Sequence, residues 1–129
     1  MSVVSQRPVL KIRDFQLGGP GRPKVIIPLT DAHEPGLIAT ARRVAASRAD
    51  MVEWRVDRYE YRDDHTKVAR TAARIHEIVG ERPLLFTART KHEGSNWHPS
   101  SDGYRDLIAD ACASGTIDLV DVQYLNPAA

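Results

Sequence analysis

Apolar positions along the chain fall into two rhythms. PVLKIRDFQL at 8–17 alternates apolar and polar residues, and LGGPGRP at 17–23 is a turn cluster, so an N-terminal hairpin is expected. Beyond it, short apolar runs alternate with segments of helical period. KVIIPL (24–29), DMVEWRVD (50–57), PLLFTAR (83–89) and TIDLVDVQYL (116–125) read as strands. Helices are expected over 34–49, where Leu37, Ala41, Val44 and Ala45 share a stripe, over about 66–79, where Val68, Ala72, Ile75 and Ile78 share one, and near 103–114. Gly80 is the stop signal of the second helix.

The strands follow one another at roughly 26 to 34 residues, the size of a βα unit with its crossover helix. Four such strands alternating with three helices predict an α/β protein with a parallel sheet. Two architectures fit. A flavodoxin-like layer closes as one domain at this length, whereas a (βα)8 TIM barrel needs ~250 residues, so a barrel reading makes this chain half of one.

Composition narrows the functional classes. The chain has 129 residues with 18 Lys and Arg against 17 Asp and Glu, and a net charge of +1 gives no long-range field to attract nucleic acid or an anionic membrane. The single cysteine, Cys112, cannot form an internal disulfide and is expected to pack on a helix face, which suits a reducing, cytoplasmic setting. Neither a signal-peptide pattern nor a run of 18 apolar residues is present in the sequence, so export and membrane spanning are not expected.

Ligands of parallel α/β sheets bind at the carboxyl ends of the strands, where this sequence is unusually polar. In VEWRVD the period of two puts Val52, Trp54 and Val56 on one face and Glu53, Arg55 and Asp57 on the other. The next strand ends in Thr87 and Arg89, and the last carries Asp121 and Gln123. Two guanidinium groups and several carboxylates at one mouth suit a small polyhydroxylated anion; the same residues also suit a structural ion-pair network. His33 and His92 follow strands and have the chemistry of general bases, and Lys91 is the one lysine on a carboxyl side, but its polar setting, TKHEGSN, offers no burial to depress its pKa. His65 and His76 are expected at the surface, and ARR at 41–43 reads as a solvated helix face. No CxxC, HxxxH, GxGxxG or GxxxxGK[ST] pattern supports a metal, dinucleotide or phosphate site.

VEWRVD at 52–57, PLLFTARTKHEG at 83–94 and DLVDV at 118–122 resemble, in order and spacing, the type I 3-dehydroquinate dehydratases. IPL at 27–29 and Tyr104 match further family positions, so the resemblance covers nearly the whole chain. It implies a (βα)8 barrel, here an N-terminal hairpin (1–23) plus about four βα units (24–129), and conversion of 3-dehydroquinate to 3-dehydroshikimate in the shikimate route to aromatic amino acids. The family uses no metal or cofactor: a lysine forms a Schiff base with the substrate ketone, and a histidine takes the C2 proton and helps expel water. The resemblance implies substrate contacts at Glu53, Trp54 and Arg55 of the EWR motif and at Arg89, with Glu93 and Asp57 in support.

Departures limit what it implies. The family's Schiff-base lysine and its histidine lie beyond the fourth strand, so no catalytic residue has a counterpart here, and the late-loop arginine, serine and glutamine that hold the substrate carboxylate are missing too. Ser95 replaces the second glycine of EGG, Gln123 stands where glutamate is usual, and Pro28 where some relatives have serine. The expectation is therefore an N-terminal half that positions substrate without turning it over, paired with a complementing C-terminal half or a second copy. The alternatives are a non-catalytic domain binding a shikimate-type ligand and a flavodoxin-like interaction domain.

Overall fold

The computed structural model describes residues 8–123. Two short strands, β1 (Leu10–Ile12) and β2 (Phe15–Leu17), form the expected antiparallel hairpin with Leu10 opposite Leu17. At its exit Gly18 has φ 89°, and a Cβ there would stand 2.8 Å from the Pro8 carbonyl oxygen, so only glycine fits. Arg13 at the hairpin tip reaches the Asp118 carboxylate at 3.1 Å, and one oxygen of that carboxylate also accepts from the Leu84 N–H. The hairpin is thereby tied to the amino-terminal end of the main sheet.

The main sheet is parallel, in the order β3 (Ile26–Leu29), β4 (Met51–Arg55), β5 (Leu84–Thr87), β6 (Leu119–Asp121). Between successive strands run α1 (Glu34–Ala45), α2 (His65–Val79) and α3 (Ser101–Ala113). Right-handed crossovers between strands placed in sequence order put every helix on one side, and α1 packs on α2 and α2 on α3. A flavodoxin-like sheet reverses its strand order at a switch point and carries helices on both faces. The observed order is that of a partial (βα)8 barrel.

Local chemistry sets the helix limits. Pro35 sits in the first turn of α1, and the helix ends at Ala45, short of the expected 49, because the Ser47 hydroxyl donates to the Val44 carbonyl and offers the backbone a competing partner. Asp64 caps α2 by accepting from the Lys67 N–H at 3.1 Å, and Ser100 caps α3 from the Gly103 N–H at 2.9 Å, starting it two residues before the expected Gly103. Gly80, at φ 64°, stops α2 as expected. β6 covers less than the expected 116–125, of which 124 and 125 lie outside the described residues.

The core lies between the sheet and the helices. Leu29, Val52, Trp54, Leu84 and Phe86 face Leu37, Ala41 and Val44 of α1, Val68, Ala72 and Ile75 of α2, and Tyr104, Leu107 and Ala111 of α3. The packing stripe of α3 therefore excludes Cys112, which is exposed rather than packed: Ala111, one position earlier, takes the place the apolar pattern of LIADACAS left open. His65 and His76 are half-buried rather than on the open surface, His65 because it opens α2 and meets Asp110 on α3 at 2.6 Å.

Leu107→Ala is expected to lower unfolding stability by about 3 kcal/mol, from lost burial plus a residual cavity, whereas Cys112→Ala should change it by about 0.5 kcal/mol at most. Urea titration followed by tryptophan fluorescence checks both, and equal losses would contradict the placement of α3.

A candidate ligand site at the carboxyl ends of the strands

The register aligns polar side chains on the face of the sheet away from the helices. Glu53 lies beside Pro28 and Leu85, and Arg55, Thr87 and Asp121 form the next row toward the carboxyl ends. The Thr87 hydroxyl donates to Glu53 Oε2 at 2.8 Å, which orients that carboxylate across the strand pair. Glu53, Arg55 and Asp121 are half-buried, so they form a polar surface still open to a ligand.

Asp57 is fully buried. β4 ends at Arg55, and a 3-10 turn over Val56–Arg58 folds Asp57 back instead of extending the strand to it as the alternation predicted. Arg55 Nε donates to Asp57 Oδ1 at 3.0 Å and Arg55 Nη2 to Oδ2 at 2.9 Å, a bidentate fork. The same carboxylate accepts from the Arg89 N–H at 3.1 Å and the Ser95 hydroxyl at 3.2 Å. Asp57 holds the Arg55 guanidinium above its ordinary pKa against the opposing effect of burial, and Glu53 and Asp121 add to the rise.

The remaining expected site residues are placed unequally. Arg89 is half-buried directly after β5, and its guanidinium forms no ion pair among the described residues. Glu93 lies exposed in a 3-10 turn, Lys91–Glu93. Trp54 is a correction: its side chain is fully buried on the helix side, 5.6 Å from the Tyr59 ring and 5.9 Å from Phe86, so it packs the core and faces away from Glu53 and Arg55. The motif's tryptophan supports the strand that carries its neighbours.

Lys91 and His92 are exposed and line a cleft of about 110 Å³ with Thr90, Trp97, His98 and Pro99. His33 is exposed and bonded to Glu60, which ties the loop after β3 to the loop after β4. Among the described residues no group of three potential metal ligands comes together. The contact of Ser95 with Asp57 and the buried pairing of Thr90 with Gln123 had no periodic signal in the sequence, because both join segments far apart in the chain.

Comparison with known proteins decides the family. The model of the type I 3-dehydroquinase family matches residues 25–128. This chain belongs to the type I 3-dehydroquinase family. The 3-dehydroquinate dehydratase of Geobacillus sp. (strain WCH70) is 32% identical over 123 residues, covering 95% of this chain and 47% of that protein. That of Syntrophotalea carbinolica is 36% identical over 114 residues, covering 88% and 45%. Among solved structures, the Geobacillus kaustophilus 3-dehydroquinate dehydratase superposes with a TM-score of 0.84 at 34% identity, and a type I enzyme from Clostridium difficile, crystallised with covalently modified comenic acid, with 0.87 at 28%. These cover 89% and 92% of this chain but 45% and 46% of theirs. The 3-dehydroquinase chain thus spans about half the length of the relatives it matches.

Within this 3-dehydroquinase fold, Asp57→Ala removes the acceptor for Arg55, the Arg89 N–H and Ser95 together, and should cost about 3 kcal/mol or more of stability by leaving a part-buried guanidinium uncompensated. Asp57→Asn should cost less, since it retains an acceptor. Chemical denaturation of both variants measures the difference, and equal stability of Asp57→Ala and the wild type would remove Asp57 from its structural role.

Proposed function

We propose that this chain supplies the substrate-positioning half of a 3-dehydroquinate dehydratase site. Glu53, Arg55 and Arg89 contact the hydroxyls of 3-dehydroquinate, Asp57 fixes Arg55, and Glu93 joins from the segment after β5. The observation that carries this reading is the half-buried row of Glu53, Arg55 and Asp121, held in register at the carboxyl ends of parallel strands in a chain of this family. Carboxylates accept from substrate hydroxyls while a guanidinium donates, and prior anchoring of Arg55 by Asp57 lowers the entropy lost on binding.

The chemical step needs an amine to form an iminium with the substrate ketone, releasing water, and a base to take the C2 proton before the hydroxyl leaves. By family resemblance those groups lie on segments outside these 129 residues. The face of the sheet away from the helices and the outer edges of β3 and β6 are where such segments fit; a second copy of these 129 residues would cover an edge without adding the amine or the base. A cytoplasmic setting belongs to the same reading; no helix among the described residues is long and apolar enough to cross a membrane.

Titration of the chain with 3-dehydroquinate, followed calorimetrically, should show saturable binding with Kd on the order of 1 mM, weakened about tenfold in Arg89→Ala, a loss typical of one charge-assisted hydrogen bond. The chain alone should form no 3-dehydroshikimate, read by its ultraviolet absorbance. Absence of binding would refute the positioning role, and steady turnover would refute the assignment of the chemistry to other segments.

A further inference from the structure

Thr90, Tyr104 and Gln123 are each only 2% exposed, and none belongs to the Glu53–Arg55–Asp57 cluster. The Thr90 hydroxyl donates to Gln123 Oε1 at 2.6 Å, and the Gln123 N–H donates to Tyr104 Oη at 3.1 Å. One residue earlier, the Arg89 N–H is held by Asp57. The Thr90 carbonyl closes the following turn by accepting from the N–H groups of Glu93 and Ser95, and the Lys91 N–H reaches the Trp97 carbonyl. The backbone at Arg89 is therefore fixed from two sides, by the end of β4 and by the end of β6.

We propose that Gln123 is a positioning residue for Arg89, acting through Thr90, and that it does so as a neutral acceptor. A hydrogen bond buried this deeply is stronger and costlier to lose than one at the surface. Its loss would free the segment after β5 to sample other backbone angles, and the long arginine side chain would multiply each change at its tip. An amide fills the role without adding a fourth carboxylate to a mouth that already holds Glu53, Asp57 and Asp121. Arg89 then keeps its charge available for a ligand. The inference rests on the reading of Arg89 as a substrate contact, but the clamp itself does not.

The test uses the whole chain and the variants Thr90→Val, Thr90→Ser and Gln123→Leu. Hydrogen–deuterium exchange of the peptide spanning 88–97 should quicken about tenfold in Thr90→Val and Gln123→Leu, as local opening becomes easier, while peptides from α2 stay unchanged. Thr90→Ser restores the hydroxyl and should exchange like the wild type. Kd for 3-dehydroquinate should rise about tenfold in Thr90→Val and in Gln123→Leu and return to the wild-type value in Thr90→Ser, the fold-change expected when one buried hydrogen bond stops orienting a contact residue. Wild-type exchange rates in Thr90→Val would overturn the clamp without reference to any ligand. Faster exchange with unchanged affinity would overturn the positioning role, and a wild type that binds nothing would refute the parent reading while the exchange rates still decide the clamp.

Discussion

The structure turns on one buried carboxylate. Removing an ionised Asp57 from water carries an effective penalty of several kcal/mol, which only good geometry and full hydrogen bonding offset. The donors come from three places: the Arg55 fork at the end of β4, the Arg89 N–H just after β5, and the Ser95 hydroxyl beyond the next turn. Satisfying a single group therefore fixes the end of one strand, the start of the following segment and the return of that segment at once. A hydrophobic residue at 57 could pack as densely, but it would specify none of these positions. The ion pair is better understood as a source of geometry than of net stability.

The same economy shapes the sheet. Alternation divides each strand into a helix-facing set, fully buried at Val52, Trp54, Leu84 and Phe86, and an opposite set that becomes polar toward the carboxyl ends. Among the described residues that second face has no covering layer, and β3 and β6 have no outer neighbours. Met51 N–H bonds to the Val25 carbonyl, so by alternation Ile26 and Pro28 direct their backbone groups outward, and proline has no N–H to offer there. That edge of the described sheet is thus partly blunted against indiscriminate strand pairing.

Much of this was legible in the residues. The period of two in VEWRVD separated Trp54 from Glu53 and Arg55 correctly, and the motif resemblance, which named all three as contacts, was the weaker guide for Trp54. Period and spacing also located every strand and helix to within a few residues, because burial on one face is a local property of the chain. The end of β4 was not legible: a 3-10 turn rather than continued extension brings Asp57 back to Arg55, and the long-range demand of that carboxylate overrides local alternation. Cys112 failed for a related reason, since the small residues in LIADACAS define an apolar stripe only loosely and Tyr104 and Leu107 choose Ala111. Thr90 and Gln123 look like ordinary polar residues until the fold brings them together.

The charge at the mouth limits what this half can do. Glu53, Asp57 and Asp121 contribute three negative charges and Arg55 and Arg89 two positive ones, and Arg55 is already engaged by Asp57. Carboxylates in this proportion suit ligand hydroxyls, which donate to them, better than a ligand carboxylate, which they repel. Arg89 alone can soften that repulsion; it cannot supply both hydroxyl contacts and a full counter-charge. An anionic, polyhydroxylated ligand therefore needs a further cation from a segment that covers this face. Under the proposed positioning role, hydroxyl contacts on this face and charge capture by the segment that covers it would make tight binding depend on both being present.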